Sequence, residues 1–486
     1  MPGSWSSSGS SPGPSAGPGV VDLHLEIDAS GGLAEGVAAA LRNAIADGRL
    51  PAGAALPSTR VLAADLGVAR GTVTAAYTRL AEQGHLGVAQ GAPTRVLTGA
   101  IPGPARGPRQ VPAPGQPEPG DFERAARWDL RPGRPCTAMF PRADWAAATR
   151  AVLARATPSE FDYPDAAGLP ALREAVARYL GRARGVVAGA DRVVVCPGFG
   201  AGLGALTSVL AESGVGDVQF EDPSLVLFRT VVAERGVRIS GARVDEAGLQ
   251  VDAVTAPVVV ATPAHQFPLG MTLPPARRAA LAARKDLLVV EDDYDGEFRF
   301  AAQPVGALQA LAPEHIVYGG TASKALAPAV GLGWLVLPAH LVGPVTDVLR
   351  RQRLISPALS QLVLAELLHS GRYDRHVRRA RTVYRRRRAA VLAAVSELRV
   401  RPAAGSTAGL HLALLLPDDV PEERVLAAAA ERGVAVAGLH WLWIDRSAAR
   451  PGLVVGYAAP PEHAFAPALA ALVEALRAAG CARAVG

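Results

Sequence analysis

The chain has 486 residues, enough for about three domains at roughly 150 residues each, and with 49% apolar against 19% charged residues it is not an intrinsically disordered protein. Three cysteines, Cys136, Cys196 and Cys481, stand without a C-x-x-C or Cys/His spacing, which excludes a disulfide framework, argues against a metal site and suits a reducing cytoplasm. The net charge of +6 is mild, but of the 50 basic residues only Lys285 and Lys324 are lysines. Where arginine has replaced every other lysine, a retained one marks a place where chemistry needs a deprotonatable primary amine. Lys285, on a helix tail before Asp286, reads as a plain surface residue. No run approaches 18 consecutive apolar residues, so no membrane span is expected, and Met1 to Gly19 has neither the charged nor the apolar region of a secretory signal.

Residues 1–20, rich in Ser, Gly and Pro, read as a disordered tail. Residues 21–98 carry three short helical patterns. Val37, Leu41 and Ile45 share one face; Leu62 and Leu66 lie on a helix entered at Pro57-Ser58 and stopped by Gly67; Val73, Tyr77 and Leu80 make a third, stopped near Gly84. Leu86 to Val88 and Arg95 to Leu97, around Gly91, suit a β-hairpin. Helix, helix, turn, helix, hairpin is the order of a winged helix-turn-helix. In that motif the start of the third helix would present Arg70, Thr72 and Thr74 to the major groove of double-stranded DNA, Arg60 would hold the backbone, and Gln90 and Gly91 at the wing tip would approach the minor groove. Counted over Val21 to Thr98, six Arg stand against seven Asp/Glu, so the domain lacks an overall basic footprint.

Residues 99–121 are a Pro/Gly-rich linker, and 122–486 form the second folded part. Its short Val-rich runs, Arg192 to Cys196, Val258 to Thr262, Leu287 to Val290, Ile316 to Tyr318 and Trp334 to Leu337, read as strands buried on both faces, with helices between them as crossovers of a largely parallel sheet. Long helices follow from about Ser356, one bearing the run Arg385 to Arg388, read as a solvated face. The piece from about 396 to 486, with strands at His411 to Leu415 and Leu453 to Tyr457, reads as a small α+β domain.

Lys324 sits in Thr321-Ala322-Ser323-Lys324, just after a predicted strand, and Asp292 and Tyr294 lie in Glu291-Asp292-Asp293-Tyr294-Asp295 at the end of the preceding one. Carboxyl ends of neighbouring parallel strands are where open α/β sheets bind ligands. An amine able to form a Schiff base, a carboxylate able to keep a pyridine nitrogen protonated and a phenol beside them are the groups that pyridoxal 5'-phosphate requires. Thr321 and Ser323 would hold its phosphate.

The first folded part resembles the GntR family of bacterial repressors over Leu33 to Leu97, through Leu56-Pro57-Ser58-Thr59-Arg60, Leu66-Gly67-Val68-Ala69-Arg70-Gly71-Thr72-Val73 and Ala76-Tyr77-Thr78-Arg79-Leu80. The second resembles fold-type I aminotransferases, and in particular the MocR branch of GntR regulators, in which such a domain is fused to the winged helix as an effector sensor. The stretches Phe161 to Arg173, Thr262 to Gly270 and Arg375 to Arg381 agree with it. The resemblance implies a winged helix-turn-helix followed by an α/β fold-type I aminotransferase-like large domain and a small C-terminal α+β domain. It also implies Lys324 as the Schiff-base lysine, Asp292 on the pyridine nitrogen, Tyr294 on the ring hydroxyl, and a homodimer in which Tyr163 reaches the neighbour's phosphate site.

Several positions depart from the family pattern. Gly331 stands where an arginine usually contacts the phosphate, Leu225 where an aromatic ring usually stacks on the cofactor, and Gly198-Phe199-Gly200-Ala201 where G-x-Q-Q is usual. The expectation is a transcription regulator sensing a small amino compound or the cofactor itself, with weak cofactor binding and no assigned catalytic residue. The alternative is a working aminotransferase carrying a DNA-binding module. It would need an arginine for the substrate carboxylate, and the candidate near Leu453 to Tyr457 is Arg450. A third reading takes Gly200 to Ala205 as a dinucleotide fingerprint with Glu221 downstream, but leaves Lys324 and Asp292 unexplained.

Overall fold

The computed structural model describes residues 32–87, 93–97, 126–300, 305–403 and 408–483, and the chain divides into two compact units, Met1–Gln116 and Pro117–Gly486. The expected tail, the linker and the wing-tip residues Gln90 and Gly91 lie outside the described residues.

In the first unit, helices α1 (Leu33–Ala46), α2 (Thr59–Leu66) and α3 (Arg70–Glu82) precede an antiparallel pair, β1 (Leu86–Gly87) and β2 (Arg95–Val96). The Ser58 side chain accepts the Val61 N–H at 3.3 Å and so caps α2, and Gly67 ends that helix in the left-handed region at φ 64°. Val37, Leu41, Ile45, Leu62, Val73, Tyr77 and Leu80 meet in one core with Leu86 and Val96 of the hairpin. The Tyr77 hydroxyl donates to the Pro57 carbonyl at 2.9 Å, tying α3 to the entry of α2.

The second unit opens with β3 (Trp128–Asp129), helices α4 (Arg142–Arg155) and α5 (Pro170–Arg184), β4 (Val193–Cys196) and helix α6 (Phe199–Glu212). The sheet continues with β5 (Asp217–Asp222), β6 (Arg238–Asp245), β7 (Gly248–Leu249), β8 (Val258–Ala261), β9 (Leu288–Asp292), β10 (Ile316–Thr321) and β11 (Gly333–Val336). Its eight strands run in the order β4-β11-β10-β9-β8-β5-β6-β7. Neighbours from β10 to β6 pair in parallel, whereas β11 is antiparallel to both its neighbours and β7 to β6. Period-two alternation sends Val193 and Val195 into one core and Val194 and Cys196 into another. Both faces are covered, which is why these strands read as unbroken apolar runs.

β5 and β6 have no counterpart in the sequence reading. β5 carries Gln219 and Glu221, each 3% exposed, and a strand that buries polar side chains does not look like a core strand. The Gln219 carbonyl accepts the N–H groups of Thr255 and Ala256 at 2.7 and 2.8 Å, so its burial is satisfied.

The C-terminal domain holds a four-stranded sheet in the order 401–402, 411–415, 452–456 and 437–438. The last expected strand shifts by one residue, to Gly452–Gly456. β3 pairs in parallel with Val434–Ala435, so this domain also takes in the start of the second unit, a two-residue pairing too short to signal itself. The solvated-face reading of Arg385 to Arg388 fails at Arg387, which is 1% exposed and donates to the carbonyls of Ala458 and Pro460 at 2.9 and 2.7 Å. The stretch Glu462–Cys481 is long and apolar enough to cross a membrane by length and composition alone, yet Ala468, Leu472 and Leu476 on it are buried in the main core.

Candidate ligand cavity and nucleic-acid interface

At the carboxyl ends of β5, β8, β9 and β10 lies a cavity of about 330 Å³ lined by Glu221, Thr262, Asp292, Tyr294, Thr321, Ser323 and Lys324, among others. All five residues expected to bind the cofactor therefore share one wall system. The register pairs Gly319 of β10 with Asp292 of β9. Alternation along β9 turns Asp292 toward the cavity and its neighbours away. Glu291 accepts the Leu308 and Gln309 N–H groups at 2.8 and 2.9 Å, and Asp293 takes the buried Arg184 guanidinium in a two-point contact at 2.6 and 3.0 Å. Three adjacent carboxylates thus have separate tasks, two structural and one in the cavity.

The Lys324 amine donates to the Gly133 carbonyl at 2.6 Å. Burial lowers its pKa, with Asp292 pulling the other way, which favours the neutral, nucleophilic amine. Burial raises the Asp292 carboxyl well above its ordinary range, against the attraction of Lys324. Its Oδ1 has no hydrogen-bond partner among the described residues, an unmet acceptor that a protonated ring nitrogen would satisfy. The Tyr294 hydroxyl lies 2.9 Å from His265 Nδ1, which is itself 2.9 Å from Asp295 Oδ2. Lys324, Asp292 and Tyr294 therefore fit the pyridine end of the cofactor.

For the phosphate, the hydroxyls of Thr321 and Ser323 line the cavity, and glycine stands at 331 in place of the family's arginine. Ser323 and Thr321 hydroxyls bond each other at 3.0 Å, while Gly331 sits at φ 63° with open space where a side chain would start. Phe199, at the first turn of α6, and Phe228 meet edge to face at 5.0 Å, and Leu225 lines the same cavity. Gly319 is required here, because a Cβ on it would collide with the Phe199 ring. Arg450 lines a different cleft, with Arg243 and Arg401.

Sequence reasoning singled out neither Phe199 and Phe228 nor, as a cavity residue, Glu221. Burial pushes the Glu221 carboxyl up to about 7, against hydrogen bonds from Thr262. Its Oε2 accepts the Thr262 N–H and hydroxyl at 2.9 and 2.6 Å, leaving it committed within the fold and unsuited to a dinucleotide ribose. His265, Asp295 and His411 bring potential ligand atoms within 4.8 Å of one another. His265 Nδ1 and Asp295 Oδ2, however, are already hydrogen-bonded at 2.9 Å, closer than the roughly 3.3 Å between two ligands of one tetrahedral zinc.

In the first unit, Arg60, Arg70 and Thr74 are exposed and Thr72 is half-buried. Arg70 Nε donates to Thr59 Oγ1 at 3.4 Å, and the Thr74 hydroxyl donates back to the Arg70 carbonyl at 3.0 Å. The exposed face of α3 carries Arg70, Gly71, Thr74, Thr78 and Arg79, the side opposite Val73, Tyr77 and Leu80.

A winged helix followed by an aminotransferase-like unit defines the class, and comparison with known proteins agrees. Residues 33–96 match the bacterial regulatory proteins of the gntR family, and residues 130–439 match aminotransferase class I and II. The chain is 32% identical over 454 residues to the HTH-type pyridoxine biosynthesis transcriptional regulator PdxR of Corynebacterium glutamicum, covering 90% of this chain and 94% of that protein. It is 31% identical to the probable rhizopine catabolism regulatory protein MocR of Rhizobium meliloti, covering 71% and 74%. An archaeal alanine:glyoxylate aminotransferase structure superposes with a TM-score of 0.66 at 24% identity, covering 71% of this chain and 89% of the other, which shows the fold. The chain belongs to the MocR-type branch of the GntR family, and it is a DNA-binding transcription regulator with an aminotransferase-like domain.

Proposed function

We propose that this regulator reads its operator with Arg70, Thr72 and Thr74 of α3, aided by Arg60, Gln90 and Gly91, and that its second unit is a sensor and dimerisation scaffold rather than a transaminase. The observation that carries this is the composition of the Lys324 cavity: among the described residues that line it there is no arginine. Amino-acid transamination calls for a charge partner for the substrate carboxylate, and Arg450 belongs to another cleft. Pyridoxal 5'-phosphate, when bound, supplies an electron sink and a reactive aldehyde. Lys324 would take up the aldehyde, Asp292 would hold the ring nitrogen, Tyr294 the ring hydroxyl, and Thr321 with Ser323 the phosphate. A small amino compound would compete with Lys324 for the same aldehyde. The naming of a relative as a regulator of pyridoxine biosynthesis supports a ligand of this chemistry. Tyr163, 90% exposed, supports a homodimer in which it completes the partner's site, and such a regulator works in the cytoplasm.

The test is an electrophoretic shift on DNA upstream of the protein's own coding sequence. Wild type retards it, Arg70→Ala retards it weakly, and failure of the wild type to select that DNA over an unrelated fragment overturns the reading. Light scattering at micromolar concentration gives twice the chain mass, whereas a single-chain mass removes the dimer.

A further inference from the structure

A second cavity, of about 750 Å³, lies in the same unit between the start of α4 and the long helix Arg372–Val395. Its walls include Arg142, Arg375, Arg379, Arg386 and Arg387 against two carboxylates, Asp144 and Glu462. Both carboxylates are already taken: Asp144 lies 3.4 Å from Arg372, and Glu462 pairs with Arg386 and, at 3.2 Å, with Arg387. The side chains of Arg142, Arg375 and Arg379 have no hydrogen-bond or ion-pair partner among the described residues. Arg375 and Arg379, four apart, are neighbours on one helix face, and Arg142 lines the same cavity from α4. Three unneutralised guanidiniums around one hollow make it a place of positive potential.

Two further features point to an anion. The cavity takes in Pro141, Arg142, Ala143 and Asp144, the first turn of a 14-residue helix that no side chain caps. The N–H groups of a helix start lack intrahelical acceptors and carry its positive dipole end. Arg387 lines the cavity while only 1% exposed, and its Nε has no hydrogen-bond partner among the described residues. A buried donor left unmet costs stability that a ligand oxygen recovers. His376, 8% exposed, lines the same cavity, and its Nε2 lies 2.7 Å from the carbonyl of Ala325, next to Lys324. The second cavity thus touches the loop that carries the lysine without sharing the lysine's own cavity.

We infer that this cavity is an effector site for a phosphorylated small molecule, separate from the Lys324 cavity and independent of what that lysine takes up. The planar fork of arginine matches phosphate oxygens two at a time. A hollow of this volume falls in the range of small-ligand pockets, whereas a duplex would need an open face.

The probe is inorganic pyrophosphate, titrated calorimetrically into the full-length protein at fixed salt. Wild type is expected to bind it saturably. The Arg375→Ala/Arg379→Ala variant should bind it at least about tenfold more weakly, since one charge-assisted hydrogen bond to phosphate accounts for roughly tenfold to a hundredfold. Arg142→Ala, on a different helix, should weaken it too. All three arginines are exposed, so the melting midpoint by circular dichroism should stay that of wild type, and where the double variant does not fold, Arg142→Ala decides alone. Lys324→Ala, which abolishes the visible absorbance band of an aldehyde taken up by the lysine, should keep the wild-type pyrophosphate affinity, as should Arg70→Ala. Absence of saturable binding to wild type, or an affinity unchanged by the arginine substitutions, overturns the inference. A loss confined to Lys324→Ala or Arg70→Ala also overturns it, by placing the anion in the Lys324 cavity or on the DNA-binding face. If the double variant keeps its pyrophosphate affinity but binds the operator more weakly and with a shallower salt dependence, these arginines hold DNA phosphates and the inference falls.

Discussion

The two units place the side chains proposed to act in opposite settings. In the winged helix, Arg60, Arg70 and Thr74 stand on the surface, and the core of Val37, Leu41, Leu62, Val73 and Leu80 would pack equally well without them. In the α/β unit, Asp292 and Tyr294 are buried, and the elements that hold them consist largely of other buried polar groups: Arg184 on Asp293, Glu291 on the 308–309 turn, and His265 between Tyr294 and Asp295. Function and stability are thus separable in the first unit and entangled in the second.

Substitutions sharpen this contrast. The largest effect is expected at Arg184, whose removal leaves Asp293 buried without its charge partner. Arg184→Ala should destabilise the second unit by about 3–5 kcal/mol in urea denaturation, and a loss below about 1 kcal/mol would show that the pair is not structural. Next comes Glu297, whose carboxyl burial pushes up to about 7, with hydrogen bonds from the Tyr373 and Tyr179 hydroxyls at 3.3 and 3.4 Å. Its folded pKa lies above its unfolded value of 4.5, so the stability it contributes is complete below that value, falls as pH rises toward 7 and is constant above. Glu297→Gln lacks this slope. Its stability relative to wild type should therefore rise by up to about 3 kcal/mol between pH 4.5 and 7, and a difference that does not vary with pH contradicts the assignment.

The surface unit should respond in affinity rather than in folding. Arg70→Ala is expected to cost about 1–3 kcal/mol of binding at the cognate site with an unchanged denaturation midpoint. Loss of folding together with binding would place Arg70 in the core and break the comparison. The smallest effect is expected at Ser58, the cap of α2. Ser58→Ala should lower the stability of the first unit by about 1 kcal/mol, read by circular dichroism on heating, with the absorbance response of the Lys324 cavity unaltered.

How much of this was legible in the sequence follows the same division. Helices α1 to α3 showed themselves because their apolar residues repeat at helical spacing and Gly67 and Gly84 punctuate them. β4, β8, β9 and β10 showed themselves because both faces are apolar. β5 did not, because Gln219 and Glu221 interrupt it and only the folded chain reveals that Thr255, Ala256 and Thr262 satisfy them. Lys324, Asp292 and Tyr294 were visible as residue types that chemistry demands after strands. Phe199 and Phe228 were not, since an aromatic at the start of a helix gives no sign that it faces a cavity wall. The missing arginine at Gly331 was readable only as a departure from a family pattern.

The claim that joins the two halves is that occupancy of the Lys324 cavity changes how α3 holds DNA. The most direct measurement is the affinity for the upstream operator, by fluorescence anisotropy at fixed salt, with and without saturating pyridoxal 5'-phosphate, in wild type and Lys324→Ala. Coupling between two sites is typically about 1–3 kcal/mol, so a shift of roughly fivefold or more is predicted in wild type and none in Lys324→Ala. An operator affinity that stays constant in wild type while the absorbance band shows the aldehyde bound would contradict the account.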